Sequence, residues 1–122
     1  MVIAVPVDDK SMESKVCVSF GRAPYFLMYD SESGNADFID NPAAVSQGGA
    51  GIKAAQTVVD SKAKVLLTPR CGENAAQVID TAGIKMFKTL NDSIQDNLDA
   101  YREGKLSPLD DIHPGFHGHG GK

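Results

Sequence analysis

Val65-Leu66-Leu67-Thr68-Pro69-Arg70-Cys71-Gly72-Glu73-Asn74-Ala75-Ala76 is the stretch whose reading decides the fold. Val65, Leu66 and Leu67 form a short apolar run, the pattern of a buried strand. Ala75, Val78, Ile79 and Ala82 then recur at helical spacing, so a helix follows. Between them lies a tight turn carrying Arg70, Cys71 and Gly72. The first N–H groups of a helix lack partners within it, and its dipole is positive there, so this turn favours an anion. A thiol beside it suits a soft metal or an anionic cofactor. The same residues fit a plain strand–turn–helix joint in which Cys71 is only a small buried hydrophobe. Both readings stand open at this level.

Upstream, Gln47-Gly48-Gly49-Ala50-Gly51 leads into a helix reaching about Lys62. Ile52, Ala55 and Val59 fall on one face, with Ala54 and Val58 beside them. The glycines lack both the Gly-Lys-Ser/Thr ending of a phosphate loop and the dinucleotide fingerprint, so they read as close packing and a hinge. Tyr25-Phe26-Leu27-Met28-Tyr29 is apolar throughout, as in a strand covered on both faces. Turn residues 30–35 follow, and Ala36–Asp40 returns as an antiparallel partner ended by Asn41-Pro42. The chain opens on a buried strand, Val2–Val7, followed by a polar loop over residues 8–15. Cys17 then sits in the apolar patch Val16-Cys17-Val18, and Arg22 in the turn 19–24 is a second candidate anion contact.

Downstream, Gly83 is a helix C-cap and residues 84–87 form another short strand. Asn91 or Asp92 caps a last helix, with Asp92 and Gln95 as a capping box. Ile94, Leu98 and Tyr101 give that helix its apolar face, and Gly104 stops it. The order β, β, β, α, β, α, β, α predicts an α/β layer fold with antiparallel strands first and parallel βαβ units after them. Right-handed crossovers bring the loops after Val7, Thr68 and Phe87 to one edge, where ligands of open α/β sheets bind.

A length of 122 residues predicts one domain. From Leu106 the periodicity ends, so residues 1–105 are expected to be the domain and residues 106–122 a mobile Gly/His-containing tail. His113, His117 and His119 all fall there, either as imidazole ligands for zinc, copper or nickel or as part of a solvated tail. A formal charge of −4 argues against nucleic acid as a partner. No apolar run approaches the about 20 residues of a membrane span, and the first residues lack a signal-peptide pattern, so the cytoplasm is expected. Two cysteines outside any Cys-x-x-Cys are expected to be free thiols. Proximity to Arg70 and a helix start predicts a lowered pKa for Cys71. There is no Gly-x-Ser-x-Gly elbow, and tail histidines are poorly placed as catalytic bases. Asp8, Asp9 and Asp30 flank strands and evoke a metal-dependent nuclease, though acidic residues there are usually turn formers.

Several stretches, in this order, resemble one known family. They are Ile3-Ala4-Val5-Pro6-Val7, Ser19-Phe20-Gly21-Arg22-Ala23-Pro24-Tyr25-Phe26, Asn41-Pro42, Gly49-Ala50-Gly51-Ile52, Ala54-Ala55-Gln56, Gly72-Glu73-Asn74-Ala75 and Gly83-Ile84-Lys85. The resemblance is to the dinitrogenase iron–molybdenum cofactor biosynthesis family, which includes NifX, the C-terminal part of NifB, NafY and stand-alone proteins. It covers roughly residues 2–105. It implies a ribonuclease H-like, three-layer fold with a mixed five-stranded sheet flanked by helices. It also implies binding or carriage of an iron–molybdenum–sulfur cluster or its precursor rather than turnover, with cofactor-assembly proteins as partners. One branch, of orange-protein-like members, is associated with a molybdenum–copper sulfide cluster. On this reading Arg22 and the helix start at Gly72, Glu73, Asn74 and Ala75 hold the anion, with Cys71 and Cys17 as metal ligands and His113, His117 and His119 as accessories. Small members often carry Gly-Pro-Asn-Ala at the turn. Here Cys71 adds a ligand and Glu73 an opposing negative charge. The alternatives are a metal-free interaction or regulatory module on the same fold, and the nuclease.

Overall fold

Alternation and β-branching in the apolar runs become strands, and the helical repeats between them become crossovers. A computed structural model describes residues 1–46, 48–110 and 112–113. In chain order the elements are β1 (Val2–Val7), β2 (Tyr25–Asp30), β3 (Ala36–Asp40), α1 (Ala50–Asp60), β4 (Val65–Thr68), β5 (Cys71–Gly72), α2 (Glu73–Thr81), β6 (Lys85–Lys88), α3 (Ile94–Arg102) and β7 (Ile112–His113). The main sheet is five-stranded and mixed, in the order β3-β2-β1-β4-β6. β1 pairs antiparallel with β2, and β2 with β3; β1 and β4, and β4 and β6, run parallel.

β1 is central, and Ala4, Val5 and Val7 are fully buried. Side chains alternate across a strand, so the sheet feeds two cores. Ala4, Phe26, Met28 and Leu66 pack with Ala54, Ala55 and Val58 of α1 and with Ala75, Ala76 and Ile79 of α2. Ile3, Val5, Val7, Leu27, Val65 and Leu67 pack on the other face with Ile94 and Leu98 of α3. Two helices on one face and one on the other give three layers.

The sequence-based elements shift in detail. α1 ends at Asp60, and Lys62 closes the turn with φ at 64°. Ile52, expected on the buried face, is 46% exposed because α1 turns Ala54, Ala55 and Val58 inward. Ser93, not Asn91 or Asp92, caps α3: its hydroxyl accepts from the Asp96 N–H at 3.1 Å. Asn91 instead accepts from the Ser93 N–H at 2.9 Å, one step outside the helix.

Residues 106–110, expected to begin the tail, pack on the domain in the described chain. Leu106 and Leu109 are buried. Lys88 N–H donates to Ser107 O at 2.9 Å and Leu109 N–H to Met86 O at 3.0 Å, so this segment covers the open edge of β6. β7 then pairs with β5, Cys71 opposite Ile112 and Gly72 opposite His113. The two leucines continue the cores beyond the last helix, which periodicity over so short a stretch does not reveal. His117 and His119, and the rest of residues 114–122, lie outside the described residues.

Candidate functional site

β4 runs out at Thr68, and its hydroxyl donates to Arg70 O at 3.0 Å, which folds the turn back on itself. Across from it, residues 18–22 enter the sheet at the same edge, because Val7 at the end of β1 pairs with Tyr25 at the start of β2. Phe20 anchors this loop: it is buried, and its ring lies 5.4 Å from that of Phe26. The start of α1 is the third wall. A Cβ on Gly21 would lie 3.1 Å from Gly51 N and 3.2 Å from Gly51 Cα, so the two backbones meet where only glycine fits. A Cβ on Gly51 would in turn touch Ala75 of α2 at 3.4 Å. These segments enclose a cleft of about 450 Å³, lined by Val18, Ser19, Phe20, Gly21, Arg22, Ala50, Gly51, Arg70, Cys71 and Gly72. Two of the three loops expected at this edge thus converge, and the loop after Phe87 is not part of the lining.

The cleft is cationic at its rim. Arg22 and Arg70 are both exposed there. Arg22 Nη1 donates to Ala44 O at 3.3 Å and also to Ser46 O. Lys53, in the first turns of α1, donates to Ser46 Oγ at 3.0 Å. Gly49 caps α1 and Gly72 caps α2, and neither makes a side-chain capping bond. Ala50 and Gly51 of the first turn of α1 and Gly72, the N-cap of α2, thus line one space.

The structure brings together Arg22, Cys71 and Gly72 of the expected site. It does not bring in Glu73 and Asn74, which line a separate groove with Ala76, Gln77 and Asp80. Ala75 is buried in the helix–helix packing. The negative charge of Glu73 is thus turned away from the cleft lining.

The expectation of a reactive thiolate is overturned. Cys71 is 1% exposed, and burial pushes its thiol up to about 11. Desolvation of the anion outweighs the neighbouring helix dipole and Arg70. Cys17 lies outside the lining. Its thiol is also raised, mainly by burial, with Asp8 adding to the effect. Among the described residues, no three of His, Cys, Asp and Glu gather as a metal-ligand set. The backbone of His113 lies beside Gly72 through the β5–β7 pairing.

The carboxylates of the nuclease reading do not converge. Asp30 pairs opposite Val2, at the start of β1, whereas Asp8 and Asp9 follow its end. That strand separates them by roughly 20 Å. Asp30 accepts from the Glu32 N–H at 2.9 Å, a turn-forming role that lowers its pKa.

Asn41 belongs to the site's support; the sequence marks it as a strand end and, in Asn41-Pro42, as one stretch of the family resemblance. It is 4% exposed, and its amide donates to Gly21 O at 3.2 Å and Ala23 O at 2.8 Å. Those partners lie 20 and 18 residues away, so its bonds cannot be read from neighbouring residues.

A profile of the family described as "Dinitrogenase iron-molybdenum cofactor" matches residues 1–104. The apo form of the orange protein from Desulfovibrio gigas superposes with a TM-score of 0.84 and 32% identity, over 90% of this chain and 93% of that one. A Thermotoga protein with a provisional NifB assignment gives a TM-score of 0.77 and 34% identity, over 88% of this chain and 91% of that one. An uncharacterized protein of Methanocaldococcus jannaschii is 26% identical over 113 residues, 90% of this chain and 92% of its own length. With sequence motifs, sheet order and profile in agreement, the chain belongs to the dinitrogenase iron–molybdenum cofactor family.

Proposed function

We propose that this chain binds or carries an anionic metal–sulfur cluster as cargo: an iron–molybdenum–sulfur cluster, its precursor or a related molybdenum–copper sulfide. The observation that carries the reading is the convergence of two helix starts without side-chain caps, Arg22 and Arg70 on one cleft. Its 450 Å³ suits a compact ligand, within the range of about 300–1,000 Å³ for small-molecule sites. Arginine forks and backbone N–H groups are donors suited to holding sulfide or oxyanion faces, which supports a binding role. Cys71 forms part of the wall, and a metal bond to it would have to release the thiol proton. Cofactor-assembly proteins are the partners this role requires, and a reducing cytoplasm keeps both thiols free. The strand order, with three antiparallel strands followed by parallel ones, supports a ribonuclease H-like assignment.

Anaerobic addition of tetrathiomolybdate with iron or copper should produce a visible charge-transfer band. Arg22→Ala should weaken binding about 10-fold or more, the loss of a charge-assisted hydrogen bond. Cys71→Ala should keep the band; its loss from a folded variant would make Cys71 a ligand. No band from the native chain under any metal addition would sink the reading. The metal-free interaction module would then stand, favoured by Val18 and Val45, large apolar side chains that are 73% and 89% exposed.

A further inference from the structure

Arg22 is exposed, and an exposed arginine ordinarily samples many rotamers. Its own N–H donates to Ser19 Oγ at 3.1 Å, whereas the flanking carbonyls of Gly21 and Ala23 and its guanidinium are all tied to one short segment, residues 41–46. The guanidinium grips the carbonyls of Ala44 and Ser46, at the end of the 3-10 turn Pro42–Val45. The N-cap of that turn is Asn41. Its Oδ1 accepts from the Ala43 N–H at 3.1 Å, and its backbone N–H donates to Pro24 O at 3.1 Å. Its Nδ2 donates to Gly21 O and Ala23 O, the carbonyls on either side of Arg22. One side chain thus fixes the loop from which Arg22 starts and the turn on which its head rests.

We infer that Asn41 is a positioning residue for anion binding, acting through Arg22; this rests on the cluster-binding reading of the cleft. The site demands an amide. Two carbonyls on one side require donors, and the Ala43 N–H on the other requires an acceptor. Aspartate has the same size and keeps the acceptor, but it sets a carboxylate oxygen against two carbonyl oxygens. Serine keeps a capping oxygen and cannot span to Gly21 and Ala23. Either change frees the 21–23 backbone, and with it the reach of Arg22 into the cleft.

The test compares the native chain with Asn41→Asp and Arg22→Ala, singly and together. The first readout, needing no ligand, is the 15N resonance of the Arg22 Nε–Hε group, with α3 amides as a check that the fold is intact. The second is the dissociation constant for tetrathiomolybdate. Asn41→Asp should shift or broaden the Arg22 resonance and weaken binding about 5- to 10-fold. In the Arg22→Ala background the same change should alter binding less than about twofold, because coupled residues are not additive. An unchanged Arg22 resonance, or equal losses in both backgrounds, overturns the assignment. Should Asn41→Asp fail to fold, Asn41→Ser carries the same comparison. If the native chain does not bind tetrathiomolybdate, the cluster reading falls, and the Arg22 resonance still decides whether Asn41 holds it in place.

Discussion

A thiol that is 1% exposed cannot be solvated as an anion, and at Cys71 this outweighs the neighbouring positive helix end and Arg70. The consequence is a measurable linkage. The folded chain holds the Cys71 proton up to about 11, whereas the unfolded chain releases it near the usual value of 9. Above pH 9 the unfolded state binds fewer protons, so stability falls with rising pH until the folded thiol ionises. The neutral thiol contributes about 2–3 kcal/mol of stability, present in full below pH 9 and lost by about pH 11. Urea unfolding at pH 8 and pH 10.5 should show the native chain losing about 2 kcal/mol more than Cys71→Ala. Equal pH slopes would remove the case for a buried neutral thiol. Sequence proximity predicted the opposite shift because dipole and charge can be read from neighbours, while burial depends on distant segments. The same limit hid the bonding partners of Asn41 and Asn97. Asn97 is fully buried, and its side chain accepts from Leu90 N–H at 2.7 Å and donates to Ser93 O at 2.7 Å. Nothing in its surroundings in the chain marks it as more than one polar position of an amphipathic helix.

At the scale of elements, β6 would be an open sheet edge without the segment after α3. Ser107 O and Leu109 N–H bond to it, Pro108 bridges to Phe87, and Leu106 and Leu109 each enter one of the two cores. Burying a leucine contributes roughly 1.5–3 kcal/mol. A chain ending at Lys105 should therefore lose about 3–6 kcal/mol, read as a lower urea midpoint, and should expose its β6 edge to self-association. An unchanged midpoint would restore residue 105 as the domain boundary. The long strands and both crossover helices were legible because each repeats its signal over several residues. The two-residue strands β5 and β7 were not, since two residues carry no period. Their pairing sets the backbone of His113 beside Gly72, a contact between positions forty-one apart in the chain.

Across the molecule, the formal charge is −4, yet the candidate site gathers arginines. Charges farther away than the Debye length of about 8 Å are screened at physiological salt, so an anion at the cleft responds to Arg22, Arg70 and the helix ends. Raising salt from about 0.15 M to 1 M shortens that length to about 3 Å and should weaken tetrathiomolybdate binding severalfold in an isothermal titration. Salt-independent binding would point to a buried metal–thiolate bond instead. Overall composition shows only a net negative balance, and a sum over the chain cannot show two like charges meeting.

The turn between β4 and α2 shows where the sequence sufficed and where it did not. Apolar runs, helical repeats and turn residues determined the order of elements, the mixed sheet and the edge at which the cleft opens, because these depend on neighbours within one or two turns of chain. Tertiary structure alone decided which residues face the cleft. It buried Cys71 and raised its pKa, turned Glu73 and Asn74 into another groove, and brought Gly21 against Gly51. The physical reason is that burial, close backbone approach and side-chain direction are set by segments distant in sequence, and those become neighbours only when the sheet closes its layers.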